Sequence, residues 1–340
     1  MAGSDEASPP ASAAAPYYSL TPDRVLDAVE STGLQVDGRQ LALNSYENRV
    51  YQVGLDGAAP VVAKFYRPNR WSDAQILEEH AFTRELADRE VPVVAPLAFA
   101  GKTLLFFEGF RFALYPRCGG RAPELESRET LEWMGRFIGR IHAVGRLAPF
   151  RERPAIEPER FGYEPAEWLL DHGFVPEDLS DAWEAAMEQA LEGIERCYDK
   201  AGSVATLRLH GDCHAGNVLW QDEGESRGPH FVDFDDSLSG PAIQDLWMLL
   251  PHGRAAATQA LGDLLKGYED FAKLDRRELH LVEALRTLRI IHYSAWLARR
   301  WEDPAFPAAF PWFNTQRYWQ DRILELKEQI SAMAEPPLSA

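Results

Sequence analysis

Apolar residues fall into short β-type runs up to about residue 115 and then recur at steps of three and four for most of the remaining chain. Near the start, Thr21-Pro22-Asp23 joins a helix-capping hydroxyl to proline at the first helical position, and Gly33 supplies a stop. This predicts a short helix from Thr21 to Thr32. Leu41 to Val53 and Pro60 to Tyr66 are β-branched and aromatic and flank Leu55-Asp56-Gly57, the pattern of an antiparallel hairpin. Ser72 and Gln75 have capping-box spacing, and Ile76, Leu77, Ala81 and Leu86 carry a helix to about Arg89. Strands are predicted again in Val93 to Phe99, Thr103 to Phe107 and Phe110 to Tyr115, divided by Ala100-Gly101-Lys102 and Glu108-Gly109.

Pro116, Gly119 and Gly120 break this pattern, and Leu131, Met134, Ile138 and Ile141 then step along one helical face. Helices are also predicted in Glu184 to Lys200, Ala242 to Leu250, Ala255 to Ala272, Arg276 to Trp301 and Gln316 to Met333. One strand-turn-strand island lies between Val204 and Asp233. The expected class is α+β and bilobal. A disordered tail (1–19) precedes an N-lobe with an antiparallel sheet and a helix (20–116). A larger, mainly helical C-lobe follows (117–335).

The chain has 340 residues, with 46% hydrophobic and 11% aromatic composition, enough to bury a large core. Acidic residues number 53 against 35 basic, a net charge of −18, which argues against generic binding to nucleic acid or anionic lipid. Cys118, Cys197 and Cys213 are odd in number and scattered, as in reduced thiols of a cytoplasmic protein. The most apolar stretch, Leu279 to Trp301, is interrupted by Glu283, Arg286, Arg289, Arg299 and Arg300, so no membrane helix is expected. The first sixteen residues are small and Pro-rich, with Asp5 and Glu6 where a signal peptide would be basic. No heptad pattern calls for a dimer, and a monomer is expected.

Candidate chemistry gathers in the island. His210-Gly211-Asp212-Cys213-His214-Ala215-Gly216-Asn217 places Asp212 five residues before Asn217, and Phe231-Val232-Asp233-Phe234-Asp235-Asp236 ends a β-rich run with carboxylates. A hairpin between them brings Asp233 back beside Asn217. Phosphoryl transfer needs hard oxygen ligands for Mg2+ and a carboxylate that orients the acceptor hydroxyl, roles that Asn217, Asp233 and Asp212 suit. Zinc is a poorer reading of His210 and His214, because Gly211 and Gly216 spoil the helix that such a spacing needs.

The D-x-x-x-x-N spacing followed by a strand aspartate is similar to the kinase catalytic loop and its magnesium site, and the HGDxHxGN spelling resembles the aminoglycoside phosphotransferase and choline kinase superfamily. The segments LNSYENRVYQV, VVAKFYRPNRW, ILEEH, RLHGDCHAGNVLW, FVDFDD, GPAIQDLWMLL and RRWEDPAFPAAFPW, in this order, more closely resemble the bacterial stress response kinase A family, over roughly residues 20 to 337. That resemblance implies a serine/threonine protein kinase using ATP and Mg2+. Asp212 would be the catalytic base, and Asn217 and Asp233 the Mg2+ ligands. Ser45 would lie on the nucleotide phosphates and Lys64 on the α- and β-phosphates. The glutamate partner of Lys64 would come from the next helix, and Glu78 is preferred over Glu79 because Ala81 and Phe82 follow it at +3 and +4. Adenine would lie against Leu114 to Arg117, and Asp245 would hold the catalytic loop from below. There is no GxGxxG loop; Asn44 to Tyr51 stands in that place.

Two other readings remain open. A small-molecule kinase would share HGDxHxGN, with Glu164, Glu167 and Asp171 facing a cationic choline-, aminoglycoside- or amino-alcohol-type acceptor. A pseudokinase or scaffold would explain the absent glycine loop, against the complete lysine, aspartate, asparagine and aspartate set.

Overall fold

A computed structural model describes residues 17–224 and 227–339, and most of the tail expected to be disordered lies outside them. Tyr17 does not behave as tail: it is buried, and its hydroxyl donates to the carbonyls of Glu47 and Phe65. Helix α1 (Pro22–Glu30), capped by Thr21, packs Val25, Ala28 and Val29 onto one face of the N-terminal sheet. That sheet comprises β1 (Val36–Ala42), β2 (Arg49–Leu55) and β3 (Ala58–Phe65), joined later by β4 (Leu105–Phe107) and β5 (Phe110–Pro116). Its order is β1-β2-β3-β5-β4, antiparallel throughout. The single run expected from Leu41 to Val53 is split by a loop at 43–48.

Helix α2 (Asp73–Asp88) begins with the expected capping box, Ser72 and Gln75 each bonding the other's backbone amide. Its first turns pack under the sheet through Ile76, while Phe82 and Leu86 belong to the core of the C-terminal lobe. The predicted strand from Val93 to Phe99 does not form. Pro92 and Pro96 remove two ladder donors, and the segment makes only isolated bridges, among them Val94 N to Phe231 O at 3.0 Å.

The C-terminal lobe contains α3 (Arg128–Gly145), α4 (Glu164–Asp171), α5 (Ser180–Ala201), β6 (Leu207–Leu209), β7 (Val218–Gln221), β8 (Gly228–Phe231) and β9 (Leu238–Gly240). After these come α6 (Ile243–Trp247), α7 (Arg254–Tyr268), α8 (Val282–Ala298), α9 (Ala305–Ala309) and α10 (Gln316–Ala334). Its α3 and α7 touch backbone to backbone: a Cβ added at Gly267 would lie 1.8 Å from the Glu132 carbonyl oxygen. Its β7–β8 hairpin is gripped on both sides, by Pro92 and Val94 on β8 and by Arg121 on Trp220. Trp319 is buried against Trp183, whereas Trp312 is exposed. No described helix is long and apolar enough to cross a membrane.

Candidate active site

Strand β6 delivers the loop 210–217, and β8 delivers Asp233. Backbone geometry makes this junction tight. Gly211 has a φ of 87°, and a Cβ there would stand 2.1 Å from the Asp236 carbonyl oxygen, so the two loops can meet only with glycine at that position. Asp233 also has a left-handed backbone (φ 58°, ψ 61°), an uncommon state for a non-glycine residue and one associated with functional sites. Beneath the loop, the buried Asp245 carboxylate accepts from the amides of His210 and Gly211, both at 2.9 Å, and meets His142 Nε2 at 3.0 Å. His210 Nε2 donates to the Val232 carbonyl and so ties the loop to the strand ahead of Asp233.

Asp212 is fixed by its neighbours. Its Oδ1 lies 2.6 Å from Arg289 Nη1 on α8, and its Oδ2 lies 3.3 Å from His214 Nε2. Burial alone would raise its pKa, but the His214 hydrogen bond and the Arg289 charge overcome it and hold the carboxyl well below the usual range. The Asn217 amide nitrogen donates to the Asp212 carbonyl at 2.9 Å and to its carboxylate at 3.2 Å. Both partners are oxygens, so the NH2 group must face them and the amide oxygen is the end left for a cation. Val232 N donates to Asn217 O at 3.0 Å, setting Asp233 beside it as the hairpin expectation required.

Lys64, on β3, is buried and reaches across from the N-terminal lobe. Its Nζ lies 2.8 Å from Asp233 Oδ1 and 3.1 Å from Asp235 Oδ1. Burial works against its charge, yet Asp233 and Asp235 carry its pKa well above the ordinary lysine value. Asp235, left out of the metal set on sequence, is itself buried; Lys64, Arg70 and Asn48 surround it and keep it ionised.

Glu78 is not where it was expected. Its carboxylate accepts from the amides of Arg151, Glu152 and Arg153, at 2.6, 2.9 and 2.8 Å, and so pins α2 to the C-terminal lobe. Adjacent Glu79 is the one turned inward: it is 3% exposed and within Coulomb reach of Lys64, and burial pushes its pKa up to about 7. Ser45 lies in the loop 43–48, and that loop is joined to the site through Asn48, whose amide donates to Asp235 Oδ2 at 3.1 Å. The structure therefore gathers Lys64, Asp233, Asn217 and Asp212 through direct or one-residue links, with Ser45 on a loop tied to them through Asn48 and Glu78 outside.

Hard donors for a divalent cation are present in Asp233, whose side chain is 53% exposed, and in the Asn217 amide oxygen. Among the described residues no three His, Cys, Asp or Glu side chains form a ready-made metal cage. A site of one carboxylate and one amide suits Mg2+, which keeps several waters and takes further oxygens from a nucleotide. Cys213 is fully buried and its thiol is raised far above its ordinary pKa by that burial. Glu164, Glu167 and Asp171 stand exposed on α4, and Glu164 faces the charge of Arg299. Arg70, Arg289 and Glu47 escaped the sequence reading, since charged residues on a helix or loop carry no periodic signal.

Comparison with known proteins places the chain in a family. A family model described as the phosphotransferase enzyme family matches residues 39–282. Stress response kinase A of Salmonella choleraesuis (strain SC-B67) is 45% identical over 322 residues, covering 95% of this chain and 96% of that protein. Serine/threonine protein kinase RdoA of Salmonella typhimurium (strain LT2) matches with the same identity and coverage, 45% over 95% and 96%. Among solved structures, amicoumacin kinase hAmiN in complex with AMP-PNP, Ca2+ and Ami superposes with a TM-score of 0.69 at 19% identity. That superposition covers 93% of this chain and 95% of the other.

Proposed function

The chain belongs to the phosphotransferase enzyme family, and from that premise we propose that it transfers the γ-phosphoryl group of ATP to serine and threonine hydroxyls of protein substrates. The observation that carries the nucleotide half of this reading is the ion pair between lobes, Lys64 Nζ to Asp233 Oδ1 at 2.8 Å. A buried lysine facing a half-exposed carboxylate is arranged to exchange that partner for phosphate oxygens. The protein half is supported by the 45% identical relative named as a serine/threonine protein kinase. It is also supported by the exposed Arg289 beside Asp212, a cation that disfavours an amine-bearing acceptor at the base.

In this reading Asp233 and the Asn217 oxygen hold Mg2+, which when bound neutralises charge on the β- and γ-phosphates. Ser45 and its loop lie over the phosphates, and adenine lies against Leu114 to Arg117. Asp212 orients the acceptor hydroxyl through one oxygen while His214 and Arg289 fix the carboxylate plane. Its depressed pKa keeps it ionised at neutral pH, free to accept a hydrogen bond from the acceptor hydroxyl. A stress-response role is the matching biological setting, drawn from the relatives' names; the scattered, odd-numbered cysteines fit a cytoplasmic location.

The test mixes wild type and Asp212→Asn with γ-labelled ATP, Mg2+ and either desalted cell protein or the small-molecule fraction. Label on protein serine or threonine, absent with the variant, is the expected result. Label confined to small metabolites would overturn the protein-acceptor half and leave the phosphotransferase assignment standing.

A further inference from the structure

Glu47 sits in the loop 43–48, immediately after Ser45 and Tyr46, and is 8% exposed. Its carboxylate lies 3.0 Å from Arg67 Nε and 2.6 Å from Arg300 Nε, both charge contacts without hydrogen-bond alignment. Trp296, on α8, donates its indole N–H to the same carboxylate at 2.6 Å. Arg67 also donates to the Glu47 and Tyr46 carbonyls, at 3.0 and 3.4 Å, and pairs with Asp303 at 2.7 Å. Tyr46 meets the Phe310 ring at 4.8 Å, and Asn48 binds Asp235, the partner of Lys64. Three of the sequence segments that function had not explained thus converge: SYENR, FYRPNRW and the end of α8 with RRWEDP.

Burying so many charges is costly, and well-packed apolar residues would hold two lobes together at least as firmly. An ion network does something apolar packing does not, which is to set the position of a particular loop. A glycine-rich loop approaches phosphates because it lacks side chains; this loop contains no glycine and must be held at its place by other means.

We propose that Glu47, gripped by Arg67 of its own lobe and by Arg300 and Trp296 of the C-terminal lobe, is the positioning residue that holds the β1–β2 loop against the nucleotide phosphates, in place of a glycine-rich flap. This rests on the reading that Ser45's loop covers those phosphates. The loop is then preordered before nucleotide arrives, and its position depends on the segment from Trp296 to Asp303.

The experiment measures binding of Mg·ATP and of adenosine by calorimetry to full-length wild type, Glu47→Gln, Trp296→Phe and Arg300→Lys. Glu47→Gln should weaken Mg·ATP about tenfold while adenosine moves less than about twofold, because only the phosphates meet the loop. Trp296→Phe, which deletes one donor and keeps the ring, should show the same split at smaller size. Arg300→Lys, which keeps the charge of a contact that has no hydrogen-bond alignment, should stay within about threefold of wild type. Equal weakening of both ligands marks general loss of structure and overturns the inference, as does unchanged Mg·ATP binding in Glu47→Gln. Wild type that binds no Mg·ATP would instead overturn the nucleotide reading itself.

Discussion

Glu79 gives the sharpest quantitative consequence of this geometry. Its carboxyl moves from an ordinary 4.5 to about 7 on folding, with burial the leading cause and the charges of Lys64 and Arg153 opposing it. A carboxyl whose folded value is raised holds its proton more tightly in the folded state. Its contribution is therefore fully present below about pH 4.5 and is lost as pH rises through about 7. At about 1.4 kcal/mol per unit, the loss at pH 8 is about 3 kcal/mol, most of it between pH 5 and pH 8. For a chain of this length that is a shift of about 4 °C in Tm. Glu79→Gln keeps the shape and does not titrate. Melting curves of the two proteins should lie close together at pH 5 and separate toward pH 8, with the variant the more stable. Curves that run parallel across that range would refute the inward placement of Glu79 and the cost assigned to burying its charge.

Other perturbations follow from single contacts. Lys64→Met removes the nearest cation from the buried Asp235, leaving it to Arg70, Arg153 and Asn48, and should cost about 2–3 kcal/mol in urea melts. Asp245→Ala orphans the amides of His210 and Gly211 and the His142 ring; a loss of about 3 kcal/mol is expected, with the 210–217 amides exchanging hydrogen faster than the remaining core. Gly267→Ala drives a methyl into the Glu132 carbonyl and should destabilise by about 2–3 kcal/mol, with a lowered urea midpoint at unchanged slope. A Gly267→Ala protein as stable as wild type would show that α3 and α7 can separate freely.

Where local chemistry decided an element, the sequence was legible. Ser72 and Gln75 announce the start of α2 because each needs only the other's backbone amide. Asp212, Asn217 and Asp233 could be read together because a short hairpin is all that joins their loops. Tyr17 and the segment after Val91 were misjudged for the opposite reason. Tyr17 is ordered by the distant carbonyls of Glu47 and Phe65, and Val94 pairs with Phe231, contacts that no local pattern records.

The error at Glu78 has a more instructive cause. Hydrophobic periodicity assumes that the buried face of a helix is the apolar face. On α2 the buried face runs through Ile76, Glu79, His80, Thr83 and Leu86, so polar side chains occupy its middle, while Leu77 is 45% exposed. His80 is kept neutral there, its pKa pushed down to about 3 by burial, and it spends its ring nitrogens on Tyr66 and Thr103. A face that must present a carboxylate toward Lys64 cannot also be uniformly apolar, so the helix departs from the periodic rule at the turn nearest the candidate site. The same logic makes Glu78 legible after the fact: the side chain that looked best placed to face inward is the one free to cap three amides of the neighbouring lobe. Function and docking thus fall on adjacent residues of one helix, about 100° apart around its axis, and Glu79→Gln and Glu78→Gln should separate them. The first should change pH dependence; the second, by loosening α2 from the loop 151–153, should lower stability across the whole range.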